Sequence, residues 1–298
     1  MNQIAKISYA QSTDSWLKRK VVNIVELATG RKKITDIYEQ LKKEPFQIPK
    51  FFSRGIQLGQ LSLKYNQEME VQIPKDGPLV FVANHPFGII DGLILCDIAA
   101  RVRGDFRILL NNRLMKDEEL NKLFLPVDFD RTREAMKRNV ETKKNAQQIL
   151  ENGGTVIIFP SGGVATRWRF GLGPLEEMPW STFAAKIIMK SEATVVPVHF
   201  KGENSAAFHV ASSISESARL SLFIREVIKK IGTTVEFKIG DPVRYFPNCN
   251  LANDMGIWIV KDVVNKHALD CSWYDYEITN GSSISHCRDE ELMALGEK

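Results

Sequence analysis

Four cysteines in 298 residues, none in C-x-x-C spacing, give this chain no disulfide framework and no zinc-ribbon pattern. They fit free thiols in a reducing compartment. No stretch reaches the roughly 18 uninterrupted apolar residues of a membrane span, and the richest, around residues 79–100, is broken by His85, Asp91 and Asp97. Met1 leads into polar sequence without the charged-then-apolar pattern of a secretory leader. A net charge of +4 is too small to demand nucleic acid, and no internal repeat is visible. Membrane contact, if made, is therefore expected to be peripheral. What remains, at 44% hydrophobic and 26% charged residues, has the composition of a soluble globular chain, long enough for one large α/β domain or two small ones.

The strongest local signal is Pro78-Leu-Val-Phe-Val-Ala-Asn84-His85-Pro86-Phe-Gly88-Ile-Ile-Asp91-Gly92. Leu79–Ala83 is a short continuous apolar run, which suits a strand buried on both faces. Asn84 and His85 follow at its carboxyl end, Pro86 and Gly88 turn the chain, and Asp91 stands where a helix can begin. A carboxylate is favoured there because it accepts from free backbone N–H groups and complements the helix dipole. One turn thus brings His85 and Asp91 to the mouth of a sheet, where open α/β folds bind ligands. An imidazole oriented by a carboxylate is a general base. An isolated pair of this kind is more often an N-cap beside a turn histidine.

Around this motif, apolar Leu17, Val21, Ile24, Val25 and Ala28 predict a helix over 12–29 with basic residues at both flanks. It reads either as an interfacial helix on anionic lipid or as a helix packed on the domain with a solvated basic edge. Residues 34–44 predict a helix ended near Pro45. The proline-rich segment 45–78 predicts a connection with one strand at Glu68–Ile73. Helix over Leu93–Val102, strand at Phe106–Leu110, a short helix from Asp117, and strand or turn at Leu125–Asp128 follow. Arg131–Asn152 predicts a long helix closed by Gly153-Gly154. It carries six basic residues, but Glu134 and Glu141 interrupt them and no aromatic is interleaved, so it reads as a solvated face with no nucleic-acid role. Strands at Thr155–Phe159 and Thr194–Phe200, helices at Trp180–Lys190 and Ser217–Ile231, and an alternating edge strand at Thr233–Ile239 complete the pattern. Alternating strand and helix argues for an α/β fold with a single mixed, mostly parallel sheet flanked by helices. The expected organisation is a helical and linker segment at 1–76, an α/β core at 77–245 and a loosely held extension at 246–298.

A second constellation, Phe159-Pro160-Ser161-Gly162-Gly163-Val164-Ala165-Thr166-Arg167, again follows a buried strand, where glycines free backbone N–H groups for an anion or a developing oxyanion. Ser161 raises a Ser–His–Asp hydrolase as an alternative, but a nucleophile elbow needs glycine two residues earlier, where Phe159 stands. Val195-Val196-Pro197-Val198-His199-Phe200 with Gly202 is an apolar strand with a central proline. By itself this is a buried strand with an edge proline. Trp168, Phe170, Leu172 and Trp180 form an aromatic loop that suits a membrane headgroup region, an acyl pocket or core alike.

The N-H-P-x-G-x-x-D-G pattern resembles the first motif of the glycerolipid acyltransferase superfamily, which includes the lysophospholipid acyltransferases. Five residues rather than the commoner four separate His85 from Asp91, a form that resembles the bacterial hemolysin-like branch with its ornithine-lipid and related aminolipid O-acyltransferases. Phe159-Pro160-Ser161-Gly162 resembles the third motif, with Ser161 and Gly163 where acidic residues are usual. The Pro197 strand resembles the fourth, and Arg107–Arg113 occupies the place of the second. The resemblance covers the chain from Leu79 into the helix at Ser217. It implies an O-acyltransferase with His85 as base and Asp91 as its orienting partner, acting without cofactor or metal. Asn84, Gly88, Arg113, Ser161, Gly162, Gly163, Arg167 and Arg169 would contact substrates. The donor would be acyl-carrier protein or acyl-CoA. The acceptor would be a lyso-lipid, of aminolipid type or, alternatively, lysophosphatidic acid. The enzyme would sit in the cytoplasm, peripheral on the inner membrane face. A thioester or lipid hydrolase and a non-catalytic lipid-binding protein are the rival readings.

Overall fold

A computed structural model describes residues 30–114, 117–130, 132–180 and 182–244, the strands at 276–279 and 284–287, and positions 16 and 20. The helix expected at 12–29 and most of the 246–298 extension lie outside the described residues. The described chain runs α1 (Arg31–Leu41), α2 (Ile48–Leu58), β1 (Ser62–Lys64), β2 (Leu79–Ala83), α3 (Ile89–Arg103), β3 (Arg107–Asn111), α4 (Glu118–Asn121), β4 (Phe124–Val127), α5 (Arg133–Glu151) and β5 (Thr155–Ile158). It continues through β6 (Thr166–Arg167), β7 (Leu175–Glu176), α6 (Thr182–Ser191), β8 (Thr194–Lys201), α7 (Ala206–Ile214), α8 (Glu216–Lys230), β9 (Thr234–Ile239) and β10 (Val243–Arg244). Strands β11 (Tyr276–Thr279) and β12 (Ile284–Cys287) pair only with each other.

The main sheet has the order β1-β9-β8-β2-β5-β3-β4, with β10 beside β8, so β2 stands fourth of seven. Neighbours pair in parallel except at β8–β9 and β8–β10. The sheet is therefore mixed and mostly parallel, as the strand–helix alternation predicts. Every residue of β2 is buried, and alternate residues feed opposite layers. Leu79, Phe81 and Ala83 join Ile94, Leu95 and Ile98 of α3 and Phe52 of α2. Val80 and Val82 join Ala146 and Leu150 of α5 and Ile187 and Ile188 of α6. Helices on both faces explain why the strand reads as one continuous apolar run. Pro197 in β8 falls between the register of β9, which pairs with 198–201, and that of β10, which pairs with 194–195. A missing N–H is tolerated at that break.

Four expectations change. Glu68–Ile73 is not a strand: Gln67–Gln72 is a 3-10 helix, with Tyr65 donating to Glu70 and Val71 82% exposed. The proline-rich connection holds a full helix, α2, because Pro49 sits in its first turn, where an N–H has no helical partner anyway. β9 is not an edge: β1 covers it, leaving the three-residue β1 at the margin. The boundary at residue 77 does not separate two bodies either, since β1 joins the sheet and Phe52, Ile56, Leu61 and Ile73 join its core.

α1 and α2 roof one side of the sheet. Ser53 of α2 donates to buried Asp97 of α3 at 2.5 Å, and Gly55 lets α2 approach Leu93 closely. Tyr38 of α1 donates to Asp117, and Lys42 pairs with Asp117 and Glu119. The far end of the sheet has its own fastener. Arg103, the last residue of α3, donates to Pro74 O, Gly77 O, Gly153 O and Thr155 Oγ1, at 2.6–2.9 Å. It thereby ties the chain entering β2 to the chain entering β5. Arg103→Met should lower unfolding free energy by about 2 kcal/mol, since it strands three carbonyls that accept from a charged donor. Because the fastener sits at the amino ends of the strands, catalytic constants should stay within about twofold; urea unfolding beside steady-state kinetics measures both.

Candidate active site

The carboxyl end of β2 opens into a turn held from every side. The Asn84 side chain accepts from Phe200 N at 2.7 Å and donates to Phe200 O at 2.9 Å, extending the β2–β8 ladder with a side-chain amide. Its polar atoms are thus occupied by backbone, and its place is structural. The His85 main chain is gripped by the loop that follows β5: its carbonyl accepts from Ala165 N at 2.8 Å, and its N–H donates to Glu177 Oε1 at 2.6 Å. Ala165 and Glu177 flank the two-stranded hairpin β6–β7, in which Thr166 faces Glu176 and Arg167 faces Leu175.

Gly88 adopts φ +87°, a region that disfavours L side chains, and a Cβ there would press on Phe223 and Val164. Gly202, at φ +124°, is required for the same turn, since a Cβ would stand 2.7 Å from the Phe87 ring. Asp91 is the third residue of α3 and fully buried. Its Oδ2 accepts from Phe87 N at 2.8 Å and Gly88 N at 2.9 Å, satisfying donors that the helix start leaves free.

His85 Nδ1 lies 3.1 Å from the same Oδ2. The N–H direction misses that oxygen, so the contact is a close approach rather than a hydrogen bond, and buried Asp91 Oδ1 remains without a partner. Oδ1 is thus the acceptor left for the imidazole when the ring tightens onto the carboxylate, as such pairs do on binding substrate. The ring stacks on Phe159 with centroids 4.0 Å apart. With Nδ1 on the Asp91 side, Nε2 is the nitrogen presented to the cleft that His85 lines.

That cleft has a volume of about 1110 Å³. It exceeds the roughly 300–1,000 Å³ of an ordinary small-molecule pocket. One arm is apolar, walled by Ile34, Ile37, Phe52, Leu93, Ile108 and Phe124 under the α1–α2 roof. Gly55 and Gly92 line it too, and a Cβ at Gly92 would meet only Ile108 at 3.9 Å, so these positions keep the arm wide. The other arm is polar, with Asn111, Asn112, Asp128, Lys143, Lys186 and the Ser161–Gly163 loop.

The remaining sequence-derived candidates separate. Ser161 lines the cleft, but its hydroxyl donates to Gly163 O at 2.9 Å and no described contact joins it to His85. Gly162 has φ +63° and its N–H closes the turn onto Phe159 O at 2.9 Å, so that N–H is not an oxyanion donor. No described residue accepts from the N–H groups of Ser161, Gly163 or Val164, which are the donors left in that loop. Arg167 is clamped by Glu203, with Nε–Oε2 at 2.5 Å and Nη2–Oε1 at 3.0 Å, while Nη1 donates to Gly173 O. Glu203 in turn holds buried His209 at 3.0 Å, and its carboxyl lies below the usual carboxylate range chiefly because of the Arg167 hydrogen bond. Arg169 is exposed on a left-handed turn at φ +58°. The Arg113 side chain lies outside the described residues. Two groups escaped the sequence reading. Arg219 of α8 lines the cleft and donates to Val164 O at 2.5 Å, a position that helical periodicity alone does not reveal. Glu177 also lies beyond local pattern, reaching His85 across 92 positions of sequence.

Known proteins share sequence or fold with this chain. The family described as Acyltransferase matches residues 46–249. Two relatives named lyso-glycine lipid O-acyltransferase, from Phocaeicola vulgatus and Bacteroides thetaiotaomicron, are each 28% identical over 204 residues, covering 65% of this chain and 70% and 71% of their own. A solved 1-acyl-sn-glycerophosphate (LPA) acyltransferase from Thermotoga maritima aligns with 86% of this chain and 89% of its own, at 19% identity and a TM-score of 0.47. The family match runs from before α2 to beyond β10 and takes in the His85–Asp91 turn, the Ser161–Val164 loop and the Pro197 strand; over more than half of its length, this chain belongs to the acyltransferase family.

Proposed function

We propose that this acyltransferase moves a fatty acyl group from a thioester, carried by acyl-carrier protein or coenzyme A, to a hydroxyl of a lyso-aminolipid of the glycine-lipid type. The observation that carries the reading is the His85 imidazole, backed by buried Asp91 and opening onto a cleft with one apolar and one polar arm. The acyl chain occupies the apolar arm, where each buried methylene contributes about 0.8 kcal/mol. His85 Nε2 takes the proton of the acceptor hydroxyl as its oxygen attacks the thioester carbonyl carbon. The carbonyl electrons move onto oxygen, and N–H groups left free in the Ser161–Val164 loop would receive that charge. Collapse re-forms the carbonyl and breaks the C–S bond, and the departing thiolate recovers the proton from the imidazolium. Asp91 stabilises the imidazolium and its orientation throughout.

The acceptor assignment draws on the relatives' names and on Arg167. A guanidinium already held by both oxygens of Glu203 offers little to a phosphate, whereas a glycine-type head group needs fewer cations. Peripheral membrane contact is part of the proposal. No helix among the described residues is long and apolar enough to cross a bilayer. Trp168, Phe170 (62% exposed) and Leu172 (90%) are exposed, as are Val210 and Ile214 of α7. Phe170 N donates to Ser213 Oγ, docking the loop on that helix.

His85→Ala should fold normally and lose at least about a hundredfold in turnover, while Ser161→Ala should retain most of its activity and no acyl-enzyme should accumulate with labelled donor alone. A label that persists in the parent protein and vanishes in Ser161→Ala would replace direct attack by a covalent route. Offered lyso-glycine lipid and lysophosphatidic acid together at limiting donor, the enzyme should acylate the former; dominant phosphatidic acid would reverse the acceptor assignment. Anionic liposomes should retain the protein, and Phe170→Ser with Leu172→Ser should weaken that retention several-fold in a sedimentation assay, as lost apolar burial requires.

A further inference from the structure

The hairpin β6–β7 does more than fill space beside the catalytic turn: it returns the chain so that a carboxylate meets His85. Glu177 Oε1 accepts from His85 N at 2.6 Å, with the Ser161 hydroxyl 3.5 Å from the same oxygen. Oε2 accepts from Trp180 Nε1 at 2.8 Å. Among the described residues no lysine or arginine pairs with this carboxylate. A largely buried anion without a cation is costly, and the donors gathered around it are what make it tolerable. Burial pushes the Glu177 carboxyl above the usual range and the Asp91 charge adds to that rise, while hydrogen bonds from Trp180 and from His85 N, and proximity to the imidazole, act against it. Glutamine, with one acceptor oxygen, could not serve both sides of this arrangement.

We infer that Glu177 is a positioning residue for His85, holding its main chain in the turn and providing a second negative charge that stabilises the imidazolium formed during acyl transfer. The inference rests on the acyl-transfer reading above. Glu177 neither gives nor takes a proton in the cycle, and its charge matters most while the ring is protonated. Asp91 acts on the ring from the first turn of α3, and Glu177 acts on the backbone of the same residue from the opposite side of the chain. The other charged groups nearby are Arg219, which donates to Val164 O, and Lys230 at the end of α8, 3.8 Å above the Phe87 ring. Neither is altered in the variants below.

Glu177→Gln keeps the volume and removes the charge. It should lower kcat about tenfold and leave both KM values within about threefold. Losing a nearby anion makes protonation of the imidazole harder, so the acid limb of the kcat/KM profile should move to lower pH. Glu177→Asp, which keeps the charge, should hold that limb at its original position. A Glu177→Gln enzyme with unchanged kcat overturns the proposal, as does reduced kcat with an unmoved limb, which would leave Glu177 a scaffold only. Should Glu177→Gln fail to fold, Trp180→Phe removes one donor to the carboxylate. The carboxylate then keeps its proton to higher pH, and turnover should fall most at the acid end; an unaltered profile in a folded Trp180→Phe enzyme overturns the proposal. His85→Ala in the same series separates the two levels. Retained turnover there defeats the acyl-transfer mechanism, whereas its loss beside a normal Glu177→Gln defeats only the role of Glu177.

Discussion

One oxygen of Asp91 holds the site together. It accepts the N–H groups of Phe87 and Gly88, which a helix start leaves without partners, and it faces the imidazole of His85. The carboxylate that caps α3 is therefore also the carboxylate that stands behind the imidazole. Because Asp91 is fully buried, its hydrogen bonds cannot be replaced by water, and losing the carboxylate would unmake the turn as well as weaken the chemistry. Other features follow from that constraint. Gly88 must reach φ +87° for its N–H to point inward, and Gly202 must lack a Cβ so that the Phe87 ring can lie flat beside it.

Much of this was legible where a local pattern has a local cause. The unbroken apolar run of β2 announced a strand covered on both sides, and the Asn-His-Pro-x-Gly-x-x-Asp-Gly spacing announced a turn with a capped helix behind it. α2 was not legible, because Pro49 reads as a breaker until its first-turn position is known. Glu68–Ile73 has strand-like residues but no strand to pair with, since Asn66 has already bound the Ile239 backbone with both ends of its amide. At the site, Arg167 was visible as a charge while its neutralisation by Glu203 was not, for that pairing depends on how a hairpin docks against α7. Glu177 was invisible for the same reason: nothing in its neighbourhood of sequence marks a residue whose partner lies 92 positions away.

The cleft divides two demands along its length. The apolar arm lies between the sheet-covering helix α3 and a roof of two short helices, so its walls are side chains on regular elements and its width is set by glycines at 55 and 92. The polar arm is built from the carboxyl ends of β3, β4 and β5 together with Lys143 of α5 and Lys186 of α6, where open α/β sheets bind ligands. His85 lines the same cleft.

The placement of β2 as fourth of seven strands has a consequence for how the molecule comes apart. Its amides are bonded to β5 and β8 on either side and can exchange with solvent only when several strands separate together. α1, by contrast, has no fully buried side chain and is joined to the start of α4 by ionic contacts near the surface, so it can lift without disturbing the sheet. Opening the cleft under α1 and disrupting the His85 turn are therefore events of different free energy. α1 lies at the low-stability end of the fold, and the His85 turn belongs to the part that yields only when the domain unfolds as a whole.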